Sequence, residues 1–327
     1  MSSYNMIILA GFVETLRETY EIFVKKGKLI PSITLLFLFL SSIFFLSNVF
    51  AIKPLLSDFI LKFTVLMVTS PTPGTPAFTD DILSLKEDLG TLAGIEWIFI
   101  VANSLASLFF STATIITSAA IYGGKETLHI KDLLSTVGQT WRRPFVTLFY
   151  TTLLDLGYIF FVFTFKLPLV LVFDHERAFS LFSTMVSMII SIFYLYISVV
   201  WTLAIVISVL EEKSGIKALG KAAELVKGMK IKGFCIKLLF GILFYIVFEL
   251  TMKTLNKQYN SLSFGIVIAL LFLNIACLVK MFSWTAYTVF YYECKKTHGE
   301  DEVFEMEESE KYTKIASHTP PINEDIP

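Results

Sequence analysis

The longest stretch without a charged residue most restricts what this chain can fold into. Residues 178–210 run for 33 positions without a charge, a proline or a glycine, and a helix of that length is roughly 50 Å long. A surface helix of a soluble domain would carry charged residues on one face, and this stretch has none. About 20 mostly apolar residues cross the ~30 Å hydrocarbon core of a bilayer. The stretch therefore predicts a transmembrane helix that tilts or emerges from the membrane.

Five further stretches are also long and mostly apolar, and the composition of the chain agrees with a membrane protein. Of all residues, 55% are apolar and 17% are charged, against about 45–50% and about 25% in soluble domains. We predict an all-α fold, a polytopic transmembrane helix bundle with interfacial amphipathic helices and a six-span membrane domain over 29–292. The predicted spans are 29–52, 97–122, 144–165, 178–210, 233–252 and 261–290.

The positions of lysine and arginine predict how these spans are oriented. If both termini face the cytosol, the inner segments hold 19 basic residues and the outer loops hold seven. Basic residues collect on the cytosolic side, so we expect N-in and C-in topology in the plasma membrane or an endomembrane. Residues 53–96 then form the longest outer loop, in which 59–68 is predicted as a separate helix on the outer surface of the bundle.

Two polar segments flank the membrane domain. Residues 1–28 predict a cytosolic amphipathic helix on the membrane surface, because apolar residues recur there at helical spacing. Residues 293–327 hold ten acidic and four basic residues and predict a disordered acidic cytosolic tail. In this tail, Tyr312 and Ile315 bound four residues that resemble a tyrosine-based sorting signal for a cytosolic partner.

The inner segment 211–237 holds seven lysines and three glutamates, a net charge of +4. A basic helix beside the inner leaflet attracts anionic lipids by about 1 kcal/mol per lysine, and Lys217, Lys221 and Lys227 are the candidate lipid contacts. The alternatives are that the lysines only set the topology, or that the helix packs as a joint between two spans. The cap, apolar stripe and end of this helix are predicted at Ser214, Ile216, Leu219, Ala223, Val226 and Gly228.

The same region carries a resemblance to a known family. An apolar run ends in Leu-Glu and is followed by Ala-Leu, a basic residue, a leucine and Lys-Gly. In this chain these features are Leu210, Glu211, Ala218, Leu219, Lys221, Leu225, Lys227 and Gly228. Residues 206–234 thereby resemble a plant multi-pass membrane family without assigned chemistry, and are similar to the membrane domain accompanying some glycerophosphodiester phosphodiesterases. The resemblance implies an accessory or organising membrane domain, without the metal-binding His/Glu cluster of those enzymes.

Motifs for catalysis are missing from the sequence. The four histidines are scattered, and no H-E-x-x-H, G-x-S-x-G, P-loop or C-x-x-C pattern occurs. We predict a non-enzymatic protein without cofactor or metal. Cys235 and Cys294 lie at the predicted inner membrane boundary, where palmitoylation and simple burial remain equally open.

Three ionisable residues inside predicted spans are candidate intramembrane sites, because an unpaired charge in the bilayer core is costly. Asp155 lies near the middle of the third span, Lys280 near the middle of the sixth and Glu249 near the outer end of the fifth. Asp155 and Lys280 either pair in a proton-linked site, or separately reach hydroxyls and the interface. We expect the second arrangement, since transporters usually show broken helices and internal repeats.

Small polar residues form a stripe in two of the spans. Such residues let helix backbones approach closely and bond across, so both stripes predict packing seams, with a polar conduit as the alternative. The stripes are Asn103, Ser107, Ser111, Thr114 and Ser118, and then Ser180, Ser183, Ser187, Ser191 and Ser198.

These features favour a non-enzymatic protein that organises membranes or serves as a trafficking scaffold through its cytosolic helices and tail. One alternative is a small-solute or proton-coupled transporter centred on Asp155. Another is a membrane-shaping protein whose long apolar stretches wedge the bilayer. The expected partners are the lipid bilayer, anionic lipids at 211–237 and a cytosolic partner of the tail. Nucleic acid is not expected, because a net charge of −1 provides no basic surface.

Overall fold

The computed structural model describes residues 2–26, 29–69, 76–124, 130–172, 177–256 and 262–299. Within these ranges the regular elements are all helical, and six helices are long and apolar enough to cross a membrane. The predicted all-α polytopic bundle is therefore confirmed. The helices are α1 (Ser2–Tyr20), α2 (Leu29–Thr69), α3 (Pro76–Tyr122), α4 (Ile130–Thr140), α5 (Arg142–Val172), α6 (Arg177–Leu210), α7 (Ile216–Leu225), α8 (Lys230–Asn256) and α9 (Leu262–Thr297), with a π-helical stretch at Glu21–Lys26.

The long helices alternate in direction, and the short helices α1, α4 and α7 gather at one end of the bundle. We call this the packed end: the N-terminal ends of α2, α5 and α8, the C-terminal ends of α3, α6 and α9, and the three short helices. Thr15 of α1 donates to Glu293 of α9 there, at 2.9 Å. The N-terminal helix and the end of α9 therefore lie on the same side, as an even number of spans requires.

The main core of the bundle lies at this packed end. It joins α6, α7, α8 and α9, and its members include Ile207, Ala218, Ile236 and Phe290, all fully buried. Helices in lipid gain little from hydrophobic burial against each other, so association depends on close packing and polar contacts. Gly233 shows how close the packing is, because a Cβ there would lie 2.9 Å from Val199 Cγ1 and 3.0 Å from Phe290 Cζ.

The first small-residue stripe forms the predicted seam over part of its length. Ser111, Thr114 and Ser118 are buried, and Ser118 bonds Thr285 of α9 at 3.2 Å. Asn103 at the other end of the stripe is exposed. The seam is therefore confirmed toward the packed end, where α3 and α9 run side by side.

The prediction of a separate helix over 59–68 is wrong. α2 continues through Pro54 to Thr69, although an interior proline removes one helical hydrogen bond and crowds the preceding turn. α2 and α3 hold 41 and 47 residues, roughly 60 and 70 Å at 1.5 Å per residue, well beyond a ~30 Å core. Most of the predicted outer loop 53–96 is thus an antiparallel helix pair, joined by Lys62 and Asp88 at 2.6 Å.

The N-terminal helix packs against the bundle through two threonines and part of its apolar side. Thr15 and Thr19 are fully buried and Phe12 packs against the main core, whereas Val13 and Tyr20 stay 56% and 50% exposed. Thr19 donates to the Thr15 carbonyl at 2.6 Å, which satisfies its hydroxyl without water. The short threonine side chains allow α1 to approach α9 closely.

The predicted boundary of the acidic tail is also corrected. α9 continues to Thr297, so residues 293–297 are helical rather than disordered. Glu293 is held in the packed end by Lys232, at 2.7 Å. Residues 300–327, including Tyr312 and Ile315, lie outside the described residues.

The contact at Gly233 yields a stability prediction. Gly233→Ala should destabilise the protein by about 1–3 kcal/mol, the usual cost of overpacking a dense core, because Val199 and Phe290 must both move. Gly241→Ala in the same helix is the control, since a Cβ there meets nothing within 4 Å. Thermal unfolding in detergent measures both. Equal melting temperatures for the two variants would contradict the close contact.

Candidate functional site

Asp155 lies on α5 and faces α6. Its Oδ1 accepts a hydrogen bond from the Tyr194 hydroxyl at 3.1 Å. Lys237 of α8 donates to Thr202 Oγ1 of α6 at 3.2 Å. α5 and α8 thus each place one charged residue against a hydroxyl of α6, and Asp155, Tyr194, Thr202 and Lys237 are together called the polar cluster.

The other two candidate intramembrane residues lie elsewhere. Lys280 of α9 donates to Ser107 of α3, so Asp155 and Lys280 do not pair. Glu249 accepts from Tyr245 at 3.1 Å and lies 3.6 Å from Lys253, both on its own helix. The three predicted residues are thus not brought together by the structure, and each contacts a different neighbour.

A groove opens beside the polar cluster, between α5, α6 and α8. Its volume is about 550 Å³, and its walls include Tyr158, Val162, Tyr194, Leu195, Gly241 and Ile242. The Tyr158 and Tyr194 rings lie 5.1 Å apart and form the side nearest Asp155. From there the groove follows α5 as far as Lys166. Ser187 and Ser191 line it too, so this part of the second stripe borders the groove.

Helix α7 is packed into the core, and its buried face matches the predicted one only in part. Val226 is buried as predicted and Leu219 packs against the core. Ala218, Ala222 and Leu225 are buried as well, while Ile216 is 67% exposed. The predicted Ser214 cap is also wrong, because the N-cap residue is Gly215 with φ 57°. The small buried residues Ala218 and Ala222 let α7 lie directly on α6, as expected for a joint between two spans.

Two glycines fix the ends of α7. The Gly215 N–H donates to Thr147 Oγ1 of α5 at 2.9 Å, and a Cβ at Gly215 would lie 3.0 Å from the Tyr150 ring. Gly228 has φ 100° just after the helix, a conformation that favours glycine, so its predicted role in ending α7 is confirmed. The N-terminal end of α7 is therefore held by a side chain of α5, and its C-terminal end by a backbone turn.

Several of the seven lysines in 211–237 are used inside the protein. Lys232 pairs with Glu293, Lys213 lies 3.1 Å from Glu211, and Lys237 belongs to the polar cluster. Lys230 stands over the Tyr196 ring at 5.7 Å. The charge available to lipid is consequently smaller than the net +4 of the sequence.

The candidate lipid contacts differ in exposure. Lys217 and Lys227 are exposed, and Lys221 is half-buried. Beside Lys217, the exposed Ile216 adds an apolar side chain to the same turn. The surface formed by Ile216, Lys217 and Lys227 is called the basic face of α7 below.

A buried ionic contact stabilises the packed end beneath this face. Lys232 and Glu293 are only 11% and 17% exposed, and both Glu293 oxygens accept from Thr15, at 2.9 and 3.1 Å. Nearby, Tyr291 donates to Glu211 at 2.8 Å. Three helices, α1, α8 and α9, are joined by one glutamate.

The burial of the cysteines bears on the choice between palmitoylation and a place in the core. Cys294 is fully buried, as a small core residue would be, and Cys235 is half-buried. Palmitoylation therefore has no exposed thiol at position 294.

Sequence reasoning missed Lys237 and Tyr194. Lys237 counted as one of the inner-loop lysines, although Gly233–Leu239 is apolar apart from this residue. That isolation within an apolar run was the available signal. Tyr194 gave no signal, because tyrosine is common within membrane spans.

The cluster predicts a specific energetic coupling. In a double-mutant cycle, Asp155→Asn and Lys237→Met should couple by about 0.5–3 kcal/mol, as interacting residues do. Asp155→Asn and Lys280→Met should add within about 0.5 kcal/mol, as separated residues do. Unfolding in mixed detergent and SDS measures each free energy. A larger coupling with Lys280 would refute the assignment.

A family model described as a domain of unknown function (DUF8558) matches residues 3–312, and the chain therefore belongs to that family. The match includes all six candidate spans and the short helices α4 and α7. No curated protein and no solved structure matches the chain.

Proposed function

For this member of the DUF8558 family, we propose a non-enzymatic role in organising the membrane, through the basic face of α7 held against anionic lipid headgroups. The observation that carries the proposal is that α7 is locked into the core while Lys217 and Lys227 remain exposed. A fixed helix presents its charges without first having to fold. The resemblance of residues 206–234 to an accessory membrane domain supports the same role.

The chemistry of the face suits a lipid surface. Each lysine near an anionic leaflet contributes about 1 kcal/mol, and Ile216 can enter the headgroup region as apolar residues of interfacial helices do. Lys217 lies in the first turn of α7 and Lys227 lies in the turn directly after this short helix, so both can meet one membrane surface. The face adds lateral preference for anionic lipids to a protein already anchored by its spans.

A transporter centred on Asp155 is the second candidate, favoured by the convergence of Asp155, Tyr194 and Lys237. A polar solute would need free hydrogen-bonding groups in the adjacent groove. The hydroxyls of Tyr158, Tyr194 and Tyr245 donate within the protein instead. The candidate spans are also continuous helices, whereas transporter sites usually use broken ones. Both observations support the organising role over transport of a polar solute.

The proposal predicts a loss of lipid preference. Changing Lys217 and Lys227 to Gln should weaken phosphatidylserine binding by about 2 kcal/mol, at about 1 per charge. The wild-type preference should also decline with salt, since the Debye length shrinks from ~10 Å at 0.1 M to ~3 Å at 1 M. Titration of the detergent-solubilised chain with fluorescent phosphatidylserine measures the affinity.

The matched control changes Lys53 and Lys86 to Gln, two exposed lysines away from the packed end. This control removes the same number of charges and should retain wild-type affinity. An equal loss in both variants would reduce the effect to net charge. No loss in either would leave α7 as a structural joint alone and end the proposal.

A further inference from the structure

We propose that the groove between α5, α6 and α8 is a binding site for a long-chain fatty acid, with its carboxylate at Lys166 and its chain directed toward Tyr158 and Tyr194. This proposal is independent of the basic face of α7. It rests on the position, lining and charge of the groove.

The groove has the dimensions of a ligand site. Its volume of about 550 Å³ falls within the roughly 300–1,000 Å³ of small-molecule pockets. On α5 the lining runs from Tyr158 to Lys166 and on α6 from Ser187 to Leu195, nine residues in each case, or about 12 Å along the helix axis from the first to the last. The result is an elongated slot that suits an extended chain.

The walls of the slot favour a hydrocarbon over a polar ligand. Val162, Leu195 and Ile242 line it, and the hydroxyls among its walls are engaged inside the protein. Tyr158 donates to the Ile190 carbonyl at 2.6 Å, and Ser191 donates to the Ser187 carbonyl at 2.8 Å. The tyrosines therefore present their rings to the slot.

The charge at one end selects an anionic head group. Lys166 is the cationic side chain among the described lining residues, and it directly follows the span that the sequence predicts at 144–165. A head group beside it would stand at the membrane boundary, with the chain running inward. One lysine matches the single charge of a carboxylate.

Gly241 keeps the slot open on α8. A Cβ at this position meets nothing within 4 Å, so a larger side chain enters the slot without a clash at its base. Gly157 on α5 has the same open surroundings but does not line the slot. The two glycines form a matched pair for a blocking experiment.

The test uses the full chain in phosphatidylcholine nanodiscs with a photoactivatable palmitic acid that carries a diazirine in its chain. Crosslinked peptides should come from α5, α6 and α8. Gly241→Leu should abolish this labelling, and Gly157→Leu should leave it at the wild-type level. Labelling that is equal in the two variants, or spread over other lipid-facing helices, would overturn the site.

The head group is tested by substitution and competition. Lys166→Gln should weaken competition by palmitate about fivefold, the equivalent of about 1 kcal/mol for one lysine, while Lys166→Arg retains it. Hexadecanol should compete weakly and equally in all three proteins. Equal competition by palmitate and hexadecanol in the wild type would overturn the role of Lys166. Stronger competition by a diacyl phosphatidylserine than by palmitate would overturn the fatty acid assignment.

Discussion

The close approach of α8 to α6 and α9 at Gly233 is the contact on which the rest of the structure depends. Lipid is as apolar as the helix surfaces, so the helices associate through close packing and polar contacts. A glycine at this point allows both, because it brings Phe290 and Val199 against the α8 backbone. It also places the neighbouring Lys232 beside Glu293.

The same face of α8 links the three features of the bundle. Gly233, Lys237 and Gly241 follow one another at intervals of four residues, about 6 Å apart along the helix. The first belongs to the packed core, the second to the polar cluster with Asp155, and the third to the groove. A rotation of α8 would therefore disturb all three.

The sequence predicts the class of fold because a transmembrane span needs a long, mostly apolar run of residues. Six such runs correspond to the six long apolar helices. Helix α4 was not predicted, although Ile130, Leu133, Leu134 and Val137 have helical spacing. The basic residues within 125–143 favour an inner loop instead. Buried Leu133 and Val137 show that this spacing was the stronger signal.

The details of the candidate sites were less accessible from sequence. In α7, hydropathy favoured Ile216 for burial, but Ala218 and Ala222 are buried because only small side chains permit contact with α6. Lysines in one short segment resemble a single charged surface, whereas Lys232 pairs with Glu293 and Lys237 donates to Thr202 inside the bundle. Such contacts depend on partners at least 35 residues away in the chain, which local patterns do not encode.

We propose that the packed end faces the cytosol, where anionic lipid is available to α7. Cysteine labelling in sealed microsomal vesicles tests this most directly, in a chain whose three native cysteines are replaced by alanine. Lys296→Cys at the packed end should react with an impermeant maleimide in sealed vesicles, and Lys86→Cys only after permeabilisation. The reverse pattern would place the basic face on the wrong side, and labelling of both in sealed vesicles would contradict the six-span arrangement.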